Sequence, residues 1–455
     1  MSLHRRHFLG LSAVGAAAAA LVSLPRRAAA GSLSHLGLDA AHLGVRAGGP
    51  DDQSQALQAA IDRAAGARVP LMLAPGIYRA AGLRLPPGAQ LVGVRGATRL
   101  VLARGASLLA AAQAEHVTLE GLTLDGARLA LPEGRALVRF SHTRGLRISD
   151  CALVDSGGHG ILLEGAQGEV AASSITDAAG AAIFSRDAQG LRIAGNSIRG
   201  AGNNGILVWR SEAGDDGTLV LDNRIEDIAA RAGGSGQNGN AINVFRAGNV
   251  SVRGNRIKGA AFSAVRGNSA SNLQIAGNTC TGLGEVALYA EFGFEGAVIA
   301  SNIVDGAALG VVVTNFNEGG RLAVVQGNLI RNLVSARAAG ADPNDAAGIG
   351  IGVEADTAVT GNVVERAPNA GILLGWGRHL RDVSATGNVV RDCGIGIAVS
   401  VAAGAGPALI ADNLISGARR GAILGMDRHA ALTGDLAAAD ATRIAHLSIT
   451  GNRVR

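Results

Sequence analysis

Arg266, Tyr289 and Glu291 are the residues of this 455-residue chain whose types suit chemistry on an acidic sugar. An arginine fork holds a carboxylate through two parallel hydrogen bonds. A tyrosine or glutamate beside it can then move the proton at the adjacent carbon. That is elimination or epimerisation of a uronate, and these three are the candidate catalytic residues. Trp209, Asn243, Phe245, Arg246, Asn268, Asn315, Asn317 and Glu318 are the candidate substrate-binding residues. Aromatic rings cover sugar faces, while amides, carboxylates and guanidinium groups bind hydroxyls and uronates. The expected partner is a polysaccharide or other glycan, and no cofactor is implied. No metal site is expected either. Asp215-Asp216 is a lone, loop-borne pair, and a calcium ion takes six or more oxygens. Cys151, Cys280 and Cys393 lie far apart without a CxxC spacing and read as buried thiols.

These residues can share one site only if a repeating backbone stacks them, and the chain repeats. LRIAGNSI (191–198), VSVRGNRI (250–257), LQIAGNTC (273–280) and LSITGNRV (447–454) are copies of one phrase. Its asparagine recurs at 196, 223, 255, 278, 302, 328, 362, 388, 413 and 452. A second phrase alternates with it: GILLEG (160–165), GILVWR (205–210), AINVFR (241–246), VALYAE (286–291) and GILLGW (371–376). Period-2 alternation in segments this short means strands. Gly-Asn tolerates the positive φ of a tight corner. The expected fold is all-β: a single-stranded right-handed parallel β-helix with three strands per coil. Stacked asparagines would hydrogen-bond along the corner.

Inserts at 229–240 and 335–347 precede a GIxL strand, and those at 211–217, 316–320 and 428–443 follow one. Loops on one side of a solenoid mark its binding face. The groove is therefore expected on the GIxL sheet. With neighbouring coils about 4.8 Å apart, Asn243, Arg266 and Tyr289 would form one outward ladder. Phe245, Asn268 and Glu291 would form the next.

Composition fits a narrow layered core. Hydrophobic residues make up 48% but aromatics only 3%, so the core is aliphatic. The formal charge of +5 owes four arginines to the first 30 residues, leaving 37 basic against 36 acidic residues. That balance excludes a polybasic surface, and no nucleic-acid partner is expected. Arg5 and Arg6 precede Phe8-Leu9, a mild apolar run, and an AxA end at Ala28 and Ala30. This resembles a twin-arginine signal peptide. It implies the twin-arginine translocase as a partner during export, and a periplasmic or secreted protein. The apolar run is too short for stable membrane insertion. Residues 51–65 read as an amphipathic helix capped by Asp51 or Asp52. The expected organisation is a signal peptide (1–30), a cap helix with first coils (31–115), and β-helix repeats (116–455).

The cap helix followed by PGIY (75–78) resembles the N-terminal lid of pectate-lyase-like β-helix proteins. Leader, cap and repeats together resemble the twin-arginine-translocated (TAT) uncharacterised repetitive protein family. The stretch GQNGNAINVFRAGNVSVRGNRI (236–257) and its continuation to 332 carry the likeness best. That resemblance implies export and a β-helix but supplies no reaction. The pectate-lyase-like likeness implies carbohydrate chemistry as a class. Gly158-His159-Gly160 and Arg256-Ile257-Lys258 resemble fragments of polygalacturonases. The clustered aspartates of such hydrolases are missing at a fitting spacing, so both read as ordinary repeat positions. Two functions remain open: a polysaccharide lyase, epimerase or hydrolase, and a non-catalytic glycan-binding or envelope scaffold protein.

Overall fold

The computed structural model describes residues 37–455, apart from 235, 315, 316, 318, 338, 340–345 and 439–443. The expected leader, including Arg5, Arg6, Ala28 and Ala30, lies outside the described residues. The backbone winds into three parallel sheets that run the length of the molecule. Among the described residues sheet A has 16 strands and sheets B and C have 15 each. One coil illustrates the rest. Leu273–Ala276 lies in sheet A, Thr279–Leu283 in sheet B and Val286–Glu291 in sheet C, before Glu295–Ala300 returns to sheet A. Sheet C holds the GIxL phrases. This is the three-strand coil expected from the two alternating phrases.

Stacking fixes which side chains meet. Val252, Ile275 and Ile299 are register partners in sheet A, and Ile257, Cys280 and Val304 in sheet B. In sheet C, Ile242, Val265, Leu288, Val311 and Ile351 follow one another. All are buried and form one continuous aliphatic core. Each such side chain contributes about 1.5–3 kcal/mol by leaving water. The three cysteines are buried, free members of this core.

The A–B corner explains the asparagine. The residue before it takes the left-handed conformation: Gly254 at φ +67°, Gly277 at +65°, and Ser301 at +56° in a non-glycine copy. The asparagine side chain then points inward. Asn278 Oδ1 accepts from the backbone N–H (2.9 Å) and Nδ2 (3.0 Å) of Asn255. Its own Nδ2 donates to Val252 O and Asn302 Oδ1, both at 3.0 Å. The ladder runs from Asn196 to Asn452.

At the N-terminal end, helix α1 (Ser54–Ala67) covers the first coils with Leu57, Ala60, Ile61 and Ala64 buried. Asp52 accepts the Ser54 N–H at 2.9 Å, so it anchors the first turn. Sheet A begins at Leu38–Asp39, sheet B at Gly76–Ala80 and sheet C at Leu83–Arg84, and all three cross residue 116 without a break.

One expected loop is a strand. Asn204–Asp215 continues through Ser211, Glu212 and Ala213 and pairs with Asn240–Gly248, with an irregularity between Trp209 and Gly214. Asp187 holds this extension by accepting from both the N–H and Oγ of Ser211 at 2.7 Å. The 428–443 insert forms, in its described part, an antiparallel hairpin between Ile423–Asp427 and Ala430–Asp435.

Candidate functional site

The outward residues of sheet C fall into two ladders. Leu162, Phe184, Leu207, Asn243, Arg266 and Tyr289 are successive partners in the first. Arg186, Trp209, Phe245, Asn268 and Glu291 are successive partners in the second. The expected pairings Asn243–Arg266–Tyr289 and Phe245–Asn268–Glu291 are those of the structure.

A row of rings crosses these ladders. His159 meets Phe184 edge-on at 5.3 Å between centroids, and Phe184 meets Trp209 at 5.3 Å. Trp209 meets Phe245 at 5.5 Å, and the Arg246 guanidinium lies 4.8 Å from the Phe245 centroid. Such separations suit ring pairs, and the cation gains from the ring face. The three larger rings remain half-buried, so part of each is open. Trp209 is fixed by its Nε1–H, which donates to Asn243 Oδ1 at 3.2 Å. A cavity of about 390 Å³ lies over the row, with His159, Phe184 and Trp209 on its floor. Leu131–Arg135 walls one side, and Gln237 and Asn238 the other.

His159 is oriented by its neighbour coil. Its Nδ1 accepts the Ala181 N–H at 2.9 Å, which leaves Nε2 carrying the proton in the neutral ring. Burial pushes its pKa below the ordinary histidine value. Glu164 sits beside the row between Arg139 and Arg186. Burial works against its charge, but bonds to both arginines hold its pKa below the usual carboxylate range. Arg210 and Arg246 flank the row and donate to backbone carbonyls, of Glu212 and Ser211 respectively.

Arg266, Tyr289 and Glu291 converge in a second compartment. Arg266 Nε and Nη2 bond both oxygens of Glu291 at 2.6 and 2.9 Å, and Nη1 reaches Glu285 at 3.3 Å. The Tyr289 ring lies 4.9 Å from the guanidinium carbon. Asn268 Nδ2 adds a bond to Glu291 at 3.1 Å. Burial disfavours the Arg266 cation, yet the Glu291 bonds and the charges of Glu291 and Glu285 raise its pKa overall. The arginine fork is therefore filled by protein carboxylates. A substrate carboxylate would have to displace Glu291, which is 2% exposed. The expectation of an open Arg266 fork does not fit this geometry: a buried arginine between two glutamates is neutralised from within.

The remaining expected residues divide. Asn243 is buried because its Nδ2 donates to Gly236 O at 2.6 Å, under the 229–240 loop. Asn317 is exposed, while Asn315 and Glu318 lie outside the described residues. Asp215 accepts from Asn249 at 2.8 Å, and burial raises the Asp216 pKa. Among the described residues no group of three or more His, Cys, Asp or Glu is placed to hold a metal ion. The Leu131–Arg135 wall, Phe184, Glu285 and a role for His159 were absent from the sequence reading. Phe184 was accessible there: AAIFSR (181–186) places an aromatic on the outward side, as AINVFR does.

Residues 108–236 and 213–381 match the family described as "Right handed beta helix region". A Pseudomonas aeruginosa protein named "Probable ABC transporter binding protein NosD" is 36% identical over 162 residues. The match covers 33% of this chain and 36% of that protein, so the chain spans about a third of this curated relative. The N-terminal fragment of bacteriophage phi29 gene product 12 has a TM-score of 0.51 at 14% identity, over 86% of this chain and 69% of that one. The catalytic unit of the alpha-1,3-glucanase of Streptomyces thermodiastaticus has a TM-score of 0.49 at 14% identity, over 96% and 70%.

Proposed function

The chain belongs to the right-handed beta helix family, and from that premise we propose that it is an exported protein that binds an acidic polysaccharide along sheet C. The observation that carries this reading is the aromatic row His159–Phe184–Trp209–Phe245, whose first three rings line a cavity together with Leu131–Arg135, Gln237 and Asn238. Half-open rings at about 5 Å intervals offer platforms for pyranose faces. Asn203, Gln237 and Asn238 line the same cavity and can bond hydroxyls. Arg210 and Arg246 supply the positive charge that selects an acidic chain over a neutral one.

Binding without turnover is the better-supported form of this reading, because the one arginine expected to act on a uronate is occupied by Glu291 and Glu285. Export rests on the twin-arginine leader and on the resemblance to the TAT repetitive family. No helix among the described residues is long and apolar enough to cross a membrane.

The test is a panel of uronate polymers and neutral glucans embedded in native gels. The wild-type protein is retarded by a uronate polymer and not by the glucans, and releases no unsaturated product or new reducing ends. Equal mobility in every gel removes the binding reading. Product release replaces it with an enzyme.

A further inference from the structure

The outer face of sheet B changes character along the rod. Through the middle coils its first outward ladder runs Ser174, Ser197, Arg224, Arg256 and Thr279. The next five positions are Ile303, Leu329, Val363, Val389 and Leu414, every one aliphatic. The residue after each, from Val304 to Ile415, is buried in the core. The five aliphatic side chains therefore point outward, and Ile303 and Val363 are 39% and 37% exposed. With coils about 4.8 Å apart, they form a stripe about 20 Å long. Parallel sheets are ordinarily covered on both faces, and a continuous exposed apolar stripe marks an interaction surface. The 335–347 insert turns the other way in its described part: Arg337 and Ala346 lie beside Leu309 and Val312 of sheet C.

The neighbouring ladder selects the occupant. It reads Asp305, Arg331, Glu365 and Arg391, so its charges alternate in sign from coil to coil. Within the chain Arg331 bonds Asp305 at 2.9 Å, and Arg391 lies 3.4 Å from Glu365. Arg366 and Asp392, one residue further on, add one charge of each sign. Read backwards, the ladder has the opposite sign at every position. A second copy laid face to face with its rod reversed is therefore complementary to the first. Asp305 of each copy meets Arg391 of the other, and Arg331 meets Glu365. The same operation sets Ile303 on Val389 and Leu329 on Val363. A single two-fold axis generates all these pairs. It runs along the strand direction, between Leu329–Arg331 and Val363–Glu365.

We propose that this face of sheet B is the interface of a homodimer built on that axis. Five coils by about five residues give a face of about 24 Å by 16 Å, or about 400 Å² per copy. That is the size class of a weak, reversible dimer, with a dissociation constant of about 10–100 µM. The aromatic row on sheet C takes no part in it.

Sedimentation velocity on the full chain tests the interface, without polysaccharide, from about 1 to about 500 µM. The wild type passes from monomer to dimer over that range. Val363→Lys puts a charge beside the axis and weakens association about tenfold or more. Asp305→Arg sets guanidinium against guanidinium in both outer pairs, and Arg391→Asp sets carboxylate against carboxylate. Each of these two proteins alone stays monomeric. Mixed in equal amounts they restore both outer pairs and sediment as a heterodimer. All three variants keep the wild-type circular dichroism. A wild type that stays monomeric throughout overturns the interface. So do undiminished dimers in Val363→Lys, dimers of either charge variant alone, or a mixture of the two that stays monomeric.

Discussion

Replacing Asn278 by alanine removes four hydrogen bonds from the middle of the asparagine ladder. On Asn255 the backbone N–H loses its acceptor, while Nδ2 loses one of three and keeps Val220 O and Arg253 O. Val252 O and Asn302 Oδ1 each lose a donor, although Asn302 Oδ1 keeps the Asn278 N–H. A stranded buried polar group costs about 1–3 kcal/mol, so the Asn255 N–H together with the other weakened bonds sets a loss of about 2–4 kcal/mol. Asn452 provides the control. It makes the same contacts to Asn413, but it stands half-buried at the end of the ladder, where water can replace them. Asn452→Ala should cost about 1 kcal/mol or less. Urea unfolding followed by circular dichroism measures both, and hydrogen exchange at the Asn255 amide reports the local effect. Coils contact only their neighbours, so the disturbance spreads from the middle coil. A loss for Asn278→Ala below about 1 kcal/mol, or no larger than for Asn452→Ala, would refute the ladder as a source of stability.

Other residues give sharper local tests. The His159 pKa is depressed by burial, so the unfolded chain takes up its proton first. Its contribution is full above the unfolded value, about 6.5, and is lost as pH falls toward the folded one. The His159→Gln protein should lose less stability than wild type between pH 7.5 and pH 5 in paired denaturant titrations; parallel curves would contradict this. Burial pushes the Cys280 thiol up to about 12 and Cys151 up to about 11. Neither should react with a disulfide reagent at pH 8 until the protein is unfolded, and rapid native labelling of Cys280 would place it outside the core. Replacing Arg210 and Arg246 together by alanine should weaken uronate-polymer binding several-fold and flatten its salt dependence. An unchanged salt slope would remove these two residues from the interface.

The sheet assignments and the outward register were legible because a β-helix writes its period into the sequence. Each Gly-Asn marks an A–B corner, and the alternation from Ile242 to Phe245 states which side chains leave the core. The pairing of Asn243 with Arg266 and Tyr289 followed from that alone. The occupancy of Arg266 was not legible. Glu291 belongs to the next coil, and the side-chain angles that bring Nε and Nη2 onto it leave no mark in a strand pattern. Glu285 escaped notice because it precedes the strand Val286–Glu291, at a position the GIxL phrase does not define. The Leu131–Arg135 wall was missed for a related reason: it lies before the copies in which the repeat is clearest. The extension of Asn204–Asp215 depends on Asp187 one coil earlier, a contact across coils that composition disguised as a loop.

The chain has two tryptophans, Trp209 and Trp376, and only the first stands in the aromatic row. In a Trp376→Phe protein, Trp209 is the sole indole reporter of that surface. Titration with a uronate oligosaccharide should shift and saturate its emission, and a neutral glucan should leave it unchanged. Emission from Trp209 that stays constant while the oligosaccharide demonstrably binds would contradict the account, because the sugar would then lie elsewhere on the rod.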